Sequence, residues 1–213
     1  ANSDLRYATY TLGALNNNLT VNYTDGKQSS GVTSLNYIGF GVPLGKKAGF
    51  SVGLQPVSSV GYSLTNEILD SDDEIEEITL FSGNGGVNRI YGSFGIKVTK
   101  ELSLGIEGSF AFGNIENSIL KRRQNVQFST KYNLVSNVRG GTVKIGTQYR
   151  KELKNKLRID AGAVLKLSNT LKLTGTEQIY SLSVTATGVE TPRDIIVDRA
   201  VTGTFKSPLQ TTI

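Results

Sequence analysis

Apolar residues alternate with polar or small ones through most of this chain, and the pattern is cleanest between Val87 and Gly113. From Leu102 the even positions read Leu102, Leu104, Ile106, Gly108, Phe110 and Phe112, against Ser103, Gly105, Glu107, Ser109, Ala111 and Gly113. A period of two sustained this long exceeds the roughly five or six residues of an ordinary soluble strand. Upstream, Ile90, Phe94, Ile96 and Val98 alternate with Arg89, Tyr91, Ser93, Gly95 and Lys97, and only Thr99-Lys100-Glu101 joins the two runs. The pair predicts a long antiparallel hairpin with a tight turn.

Two further hairpins follow the same design. Ile38, Phe40, Val42 and Leu44 oppose Tyr37, Gly39, Gly41 and Pro43; after Gly45-Lys46-Lys47, the next strand sets Phe50, Val52, Leu54, Pro56, Val60 and Tyr62 on one apolar face. Val143, Ile145, Thr147 and Tyr149 oppose Lys144, Gly146, Gln148 and Arg150, and past a short basic turn at 152–155 come Leu157, Ile159, Ala161, Ala163, Leu165 and Leu167. The polar stretches at about 64–86, 114–140 and 168–199 read as long loops, so short and long links alternate. Outer-membrane barrels are wired with short periplasmic turns and long extracellular loops, and a membrane-crossing strand needs about 9 to 11 residues with one greasy face. The expected fold is therefore all-β: an antiparallel transmembrane β-barrel of the outer-membrane type, as one domain over 1–213. A soluble β-sandwich binding protein is the alternative, although it needs no such regular alternation of links.

On that reading Ile90, Phe94, Ile96, Leu104, Ile106 and Phe110 face lipid, and Thr99-Lys100-Glu101 marks the periplasmic end. Arg89, Lys97, Glu107, Lys144, Arg150, Arg158, Asp160 and Lys166 occupy the opposite parity and are the candidate lumen-facing residues. Their expected role is mutual neutralisation that braces a barrel interior. On the lipid face a Lys or Arg would cost about 2 to 4 kcal/mol at the bilayer midplane.

Composition narrows the function. The chain has no cysteine and no histidine, which removes disulfides, thiolate metal sites and the usual general base of nucleophilic catalysis; no enzyme activity, cofactor or metal is expected. Asp70, Asp72, Asp73 and Glu74 miss the spacing of a calcium-binding loop and read as a solvated acidic segment, while Gly83-Asn84-Gly85-Gly86 lacks the helix and Lys-Ser/Thr of a phosphate-cradling loop. The net charge of +5 is scattered, with no nucleic-acid-binding motif beside it, so no nucleic-acid partner is expected. The absence of methionine points to a processed or internal segment.

The segments SLNYIGFGVPLGKKAGFSVGLQPVSSVGYSL, GNGGVNRIYGSFGIKVTKELSLGIEGSFAFGNIENS and TPRDIIVDRAVTGTFKSPLQTTI resemble the FadL-type outer-membrane transport proteins in their Bacteroidetes form. The resemblance implies residence in the bacterial outer membrane and passive uptake of hydrophobic or amphipathic small molecules, with outer-membrane lipid and such a ligand as partners. That family also carries an Asn-Pro-Ala motif and a terminal aromatic strand; neither occurs here, so the chain is expected to be an incomplete, internal part of a larger barrel. The alternative function is an interaction or shuttle subunit of an outer-membrane protein secretion or assembly complex, because FadL-like barrels resemble such a shuttle component too.

Overall fold

A computed structural model describes residues 2–23, 26–153, 157–184 and 189–213. After a single 3-10 turn at Asn2–Asp4, the chain forms β1 (Thr9–Tyr23), β2 (Gly26–Leu44), β3 (Ala48–Leu69), β4 (Ile75–Lys97) and β5 (Leu102–Arg123). Then come β6 (Ser129–Glu152), β7 (Arg158–Lys166), β8 (Asn169–Val184), β9 (Glu190–Ser207) and β10 (Gln210–Thr212). All ten belong to one antiparallel sheet, ordered β1-β2-β3-β4-β5-β6-β7-β10, with β8 on β6 and β9 on β8. Because β7 and β8 pair with successive halves of β6, and β9 and β10 with β8 and β7, they act as two long strands, each with one break. The result is an up-and-down meander.

At the β7–β8 break, Asn169 substitutes for the missing ladder bonds: its side-chain amide donates to the Gly141 carbonyl at 2.6 Å and the Thr142 hydroxyl at 2.8 Å. The expected all-β antiparallel class holds. The sheet is open, since among the described residues β1 pairs only with β2 and β9 only with β8.

The expected long loops are strands. Residues 64–86 complete β3 and begin β4, 114–140 complete β5 and begin β6, and most of 168–199 lies in β8 and β9, with 185–188 outside the described residues. The expected turn at 152–155 falls partly outside them as well. The acidic block shrinks to a tight turn between β3 and β4: the Asp70 carboxylate accepts from the Asp72 and Glu74 amides at 2.8 and 2.9 Å, and Asp73 takes φ 59°. Gly83–Gly86 is mid-strand; Gly85 adopts φ +117°, and a Cβ there would lie 2.2 Å from the Asn114 carbonyl oxygen, so only glycine fits.

Directly paired residues of antiparallel strands share a face, so the registers sort the side chains. Face A holds Ile90, Phe94, Ile96, Leu104, Ile106 and Phe110; face B holds Arg89, Lys97, Glu107, Lys144, Arg150 and Lys166. Burial follows this parity along β5, where the even residues from Leu104 to Glu116 are exposed and their odd neighbours are not. The half of the sheet ending in the turns at Gly45–Lys47 and Val98–Glu101 is the near half, and the half ending at Asp70–Glu74 and Gln124–Phe128 is the far half.

Between the halves the amphipathic pattern inverts. In β4 and β5 the sequence itself switches: face A changes from Ile90 and Phe110 to Asn84, Ser82, Glu116 and Ser118, with Leu80, Leu120 and Ile78 as apolar exceptions nearer the far turn, while face B gains Val87, Phe81, Ile115 and Ile119. In β3 a bulge at Val57, between the Pro56 and Ser58 pairings, moves the even residues across. Val60 and Tyr62 therefore lie on face B, and do not continue the apolar face of Phe50, Val52 and Leu54 as the alternation suggests. The three fully described buried hydrophobics, Val87, Val138 and Leu182, sit at or beyond the switch.

Candidate membrane-interaction site

Face A of the near half is a continuous apolar belt. One row runs Val42, Phe50, Phe94, Ile106, Ile145 and Leu165 across neighbouring strands, flanked by Ala48, Ile96 and Leu104 on one side and Ile38, Leu54, Ile90 and Phe110 on the other. Most of these side chains are exposed where a soluble sheet would cover them, Ile90 at 52% and Ile106 at 51%, while Val42, Ala48, Leu54 and Leu165 are half-buried. Exposed contiguous apolar surface of this extent marks contact with a membrane or a partner. Between the Val98 turn and Asn88 the belt spans about ten residues, which for tilted strands is about 25 Å, the height of the apolar band of outer-membrane proteins. All six expected lipid-facing residues lie within this belt.

Face B beneath the belt is charged and paired. Arg89 donates to Glu107 at 3.1 Å and to the Gln55 side chain at 2.9 Å while its guanidinium lies 5.3 Å over the Tyr91 ring, and Lys144 meets Glu107 at 2.9 Å. Arg150 and Arg158 both hold Asp160, at 2.7 and 2.6 Å, and Lys166 donates to Ser207 at 3.1 Å. Lys97 reaches Asp4 at 2.7 Å, and Arg150 reaches the same carboxylate at 3.2 Å. The eight charges singled out from sequence thus fall into two clusters, around Glu107 and around Asp4 with Asp160, and Lys166 stands apart on Ser207.

Sequence reasoning missed the N-terminal segment's part. Asn2 donates to the Ser51 and Ser93 hydroxyls at 3.0 and 2.7 Å, and Gly49 and Gly95 leave the room it needs. Asp4 is remote in sequence from both Lys97 and Arg150, and no periodicity connects them. A cleft of about 490 Å³ opens on face B between Gln55, Arg89, Lys144, Lys166, Leu171 and Phe205. Among the described residues no group of side chains could hold a metal ion.

In the far half, face B carries its own ion pairs among apolar neighbours. Glu77, only 5% exposed, accepts from Lys121 and Arg123, each at 2.7 Å; the Lys121 and then the Arg123 hydrogen bond hold its carboxyl below the usual 4.5. The Arg199 hydrogen bond lowers Glu177 likewise, and burial, then the nearby Glu177 charge, pushes the Tyr132 phenol up. On face A the same region is knit by neutral polar pairs, Ser82 with Ser118 at 2.8 Å and Asn16 with Thr33 at 2.7 Å. A sheet with polar groups on face A and apolar ones on face B is suited to water outside and packing within.

The family described as BamG matches residues 1–213, and it is related to the outer-membrane protein assembly machinery, the BAM complex. No curated protein and no solved structure matches. The family match overturns the resemblance to FadL-type transporters, and with it the expectation of hydrophobic-compound uptake. That resemblance rests on strand texture and turn placement, which any long antiparallel sheet with one apolar outward face shares.

Proposed function

The chain belongs to the BamG family, and on that premise we propose that it is a membrane-embedded β-subunit of the outer-membrane protein assembly complex. The observation that carries this reading is the family match over residues 1–213. The belt on face A supports a place in the bilayer, with the far half standing in water beyond the membrane surface and the tight near-half turns at the periplasmic side. Charges at Arg89, Lys97, Glu107, Lys144, Arg150, Arg158, Asp160 and Lys166 then line the inner face, where their pairing braces neighbouring strands.

The open edges fit a subunit. In lipid every backbone amide and carbonyl needs a partner, so the outward edges of β1 and of β9–β10 must pair with each other or with a neighbour in the complex. β1, from Thr9 to Tyr23, holds no charged residue and no proline, the devices that normally keep an edge strand from pairing. β9 carries Pro192, Arg193, Asp194, Asp198, Arg199 and Lys206.

Affinity purification of the full-length protein from solubilised outer membranes tests the proposal. Stoichiometric recovery of the assembly machinery's central barrel, together with reduced insertion of newly made outer-membrane proteins on depletion, is the expected result. Recovery of the protein alone, with insertion unchanged, would refute it.

A further inference from the structure

We propose that Arg139, Lys172 and Lys206, side by side on face A at the far rim of the apolar belt, bind the phosphate of an anionic membrane lipid. The inference rests on the membrane placement proposed above. The register fixes the cluster: Phe112 opposes Arg139, Arg139 opposes Lys172, and Lys172 opposes Thr204, two residues from Lys206 on the same face of β9. Diagonal neighbours of this kind lie about 7 to 8 Å apart, within reach of long side chains.

Like charges directly opposite each other weaken a strand pair, and here nothing offsets them. The row above on face A is Asn114, Asn137, Thr174 and Thr202, and the row below begins Phe110, Gly141; neither offers a carboxylate. All three cations are exposed, and among the described residues none makes an ion pair or a side-chain hydrogen bond. Of the other strand cations, Arg89, Lys97, Lys121, Arg123, Lys131, Lys144, Arg150, Arg158 and Arg199 each meet an acid and Lys166 a serine hydroxyl. Lys27, Arg122, Lys151 and Arg193 are exposed without an acid partner among the described residues, but do not stand beside two further cations at the rim of the belt.

Position decides what the missing anion is. The cluster sits where the belt ends: Phe110 and Phe112 lie beside it on face A, and the polar far half begins one row beyond. A ligand seated there has its charged group against the three cations and an apolar body against the phenylalanines. An anionic lipid in the bilayer has that shape, and charge-assisted hydrogen bonds from Arg and Lys to phosphate are the strong kind.

The test uses the full-length protein in nanodiscs of phosphatidylcholine doped with phosphatidylglycerol, with retained lipid counted by native mass spectrometry after release into detergent. Wild-type protein is expected to retain phosphatidylglycerol selectively. The triple variant Arg139→Gln, Lys172→Gln, Lys206→Gln is expected to lose that selectivity, at about fivefold per cation or on the order of 100-fold in all. A control variant with equal loss of charge at the near turns, Lys46→Gln, Lys47→Gln, Lys100→Gln, is expected to keep it. Equal retention by wild type and triple variant, equal loss in the control, or displacement of the lipid by millimolar inorganic phosphate would each overturn the assignment. Failure of the protein to enter bilayers would sink the membrane placement as well, whereas insertion without lipid selectivity would sink this inference alone.

Discussion

The near and far halves of the same strands solve opposite problems. β5 runs through both: Leu104, Ile106 and Phe110 project on face A in one half, and Glu116 and Ser118 on that face in the other, with Glu107 giving way to Ile115 and Ile119 on face B. One backbone ladder continues across the switch without a register shift between β4 and β5, so hydrogen bonding does not set the boundary. On the membrane placement proposed above, the solvent does: apolar groups would face outward where lipid surrounds the sheet and inward where water does, because burial is favourable only relative to the medium outside.

Arginine placed on face A separates the halves most sharply. Ile106→Arg is expected to destabilise the bilayer-inserted protein by about 2 to 4 kcal/mol, read by denaturant unfolding from vesicles. Glu116→Arg, on the same strand and face beyond the switch and exposed, is expected to change stability by less than about 0.5 kcal/mol in the same assay. Equal costs at the two sites would erase the distinction.

The paired charges of face B rank next. Glu107→Ala leaves Arg89 and Lys144 without their shared carboxylate, and because the three side chains are only partly exposed the expected loss is about 1 to 3 kcal/mol. Glu107→Gln, which keeps a side-chain acceptor for Arg89, is expected to recover part of it in the same unfolding measurement.

Acid sharpens the comparison within the far half. Glu77 and Glu177 have carboxyls held below their ordinary value by their Lys and Arg partners, so the stability they add is complete above pH 4.5 and is lost as pH falls through the lowered folded value. Hydrogen exchange is expected to show the far ends of β4–β5 and β8–β9 fraying progressively as pH falls below 4.5. Glu77→Gln should remove the acid response of the β4–β5 end and leave that of β8–β9. Among the deletions of a single interaction the smallest effect belongs to Tyr62→Phe, which removes the 3.1 Å bond to Asn117 at an exposed site and should cost about 0.5 kcal/mol by the same unfolding assay.

What was legible in the sequence was the near half. Ile90, Phe94, Leu104 and Ile106 alternate with polar partners without interruption, and turns such as Gly45-Lys46-Lys47 stand out between them. The far half was mistaken for loops because its apolar residues change parity at the switch and its other face is built from Asn, Ser, Thr and Gly, the residues that also make loops. In β3 the change of parity comes from one extra residue, Val57, whose bulge is set by pairing with β4 and leaves no composition signal. The facing of the charges could be read from parity alone. Their partners could not, since Asp4 and Gln55 reach Lys97, Arg150 and Arg89 only through sheet order and register. The family was misjudged for a related reason: alternation reports the medium around a sheet, not the task of the protein.

The chain lacks cysteine, so single spin labels can be placed along the even positions of β5 without background. Labels at Leu104, Ile106, Phe110, Glu116 and Ser118 in protein reconstituted into bilayers, compared for collision with oxygen and with a water-soluble nickel chelate, test the switch of solvent most directly. High oxygen and low nickel accessibility from Leu104 to Phe110, reversing by Glu116 and Ser118, is the predicted profile. Uniform accessibility along the whole strand would contradict it.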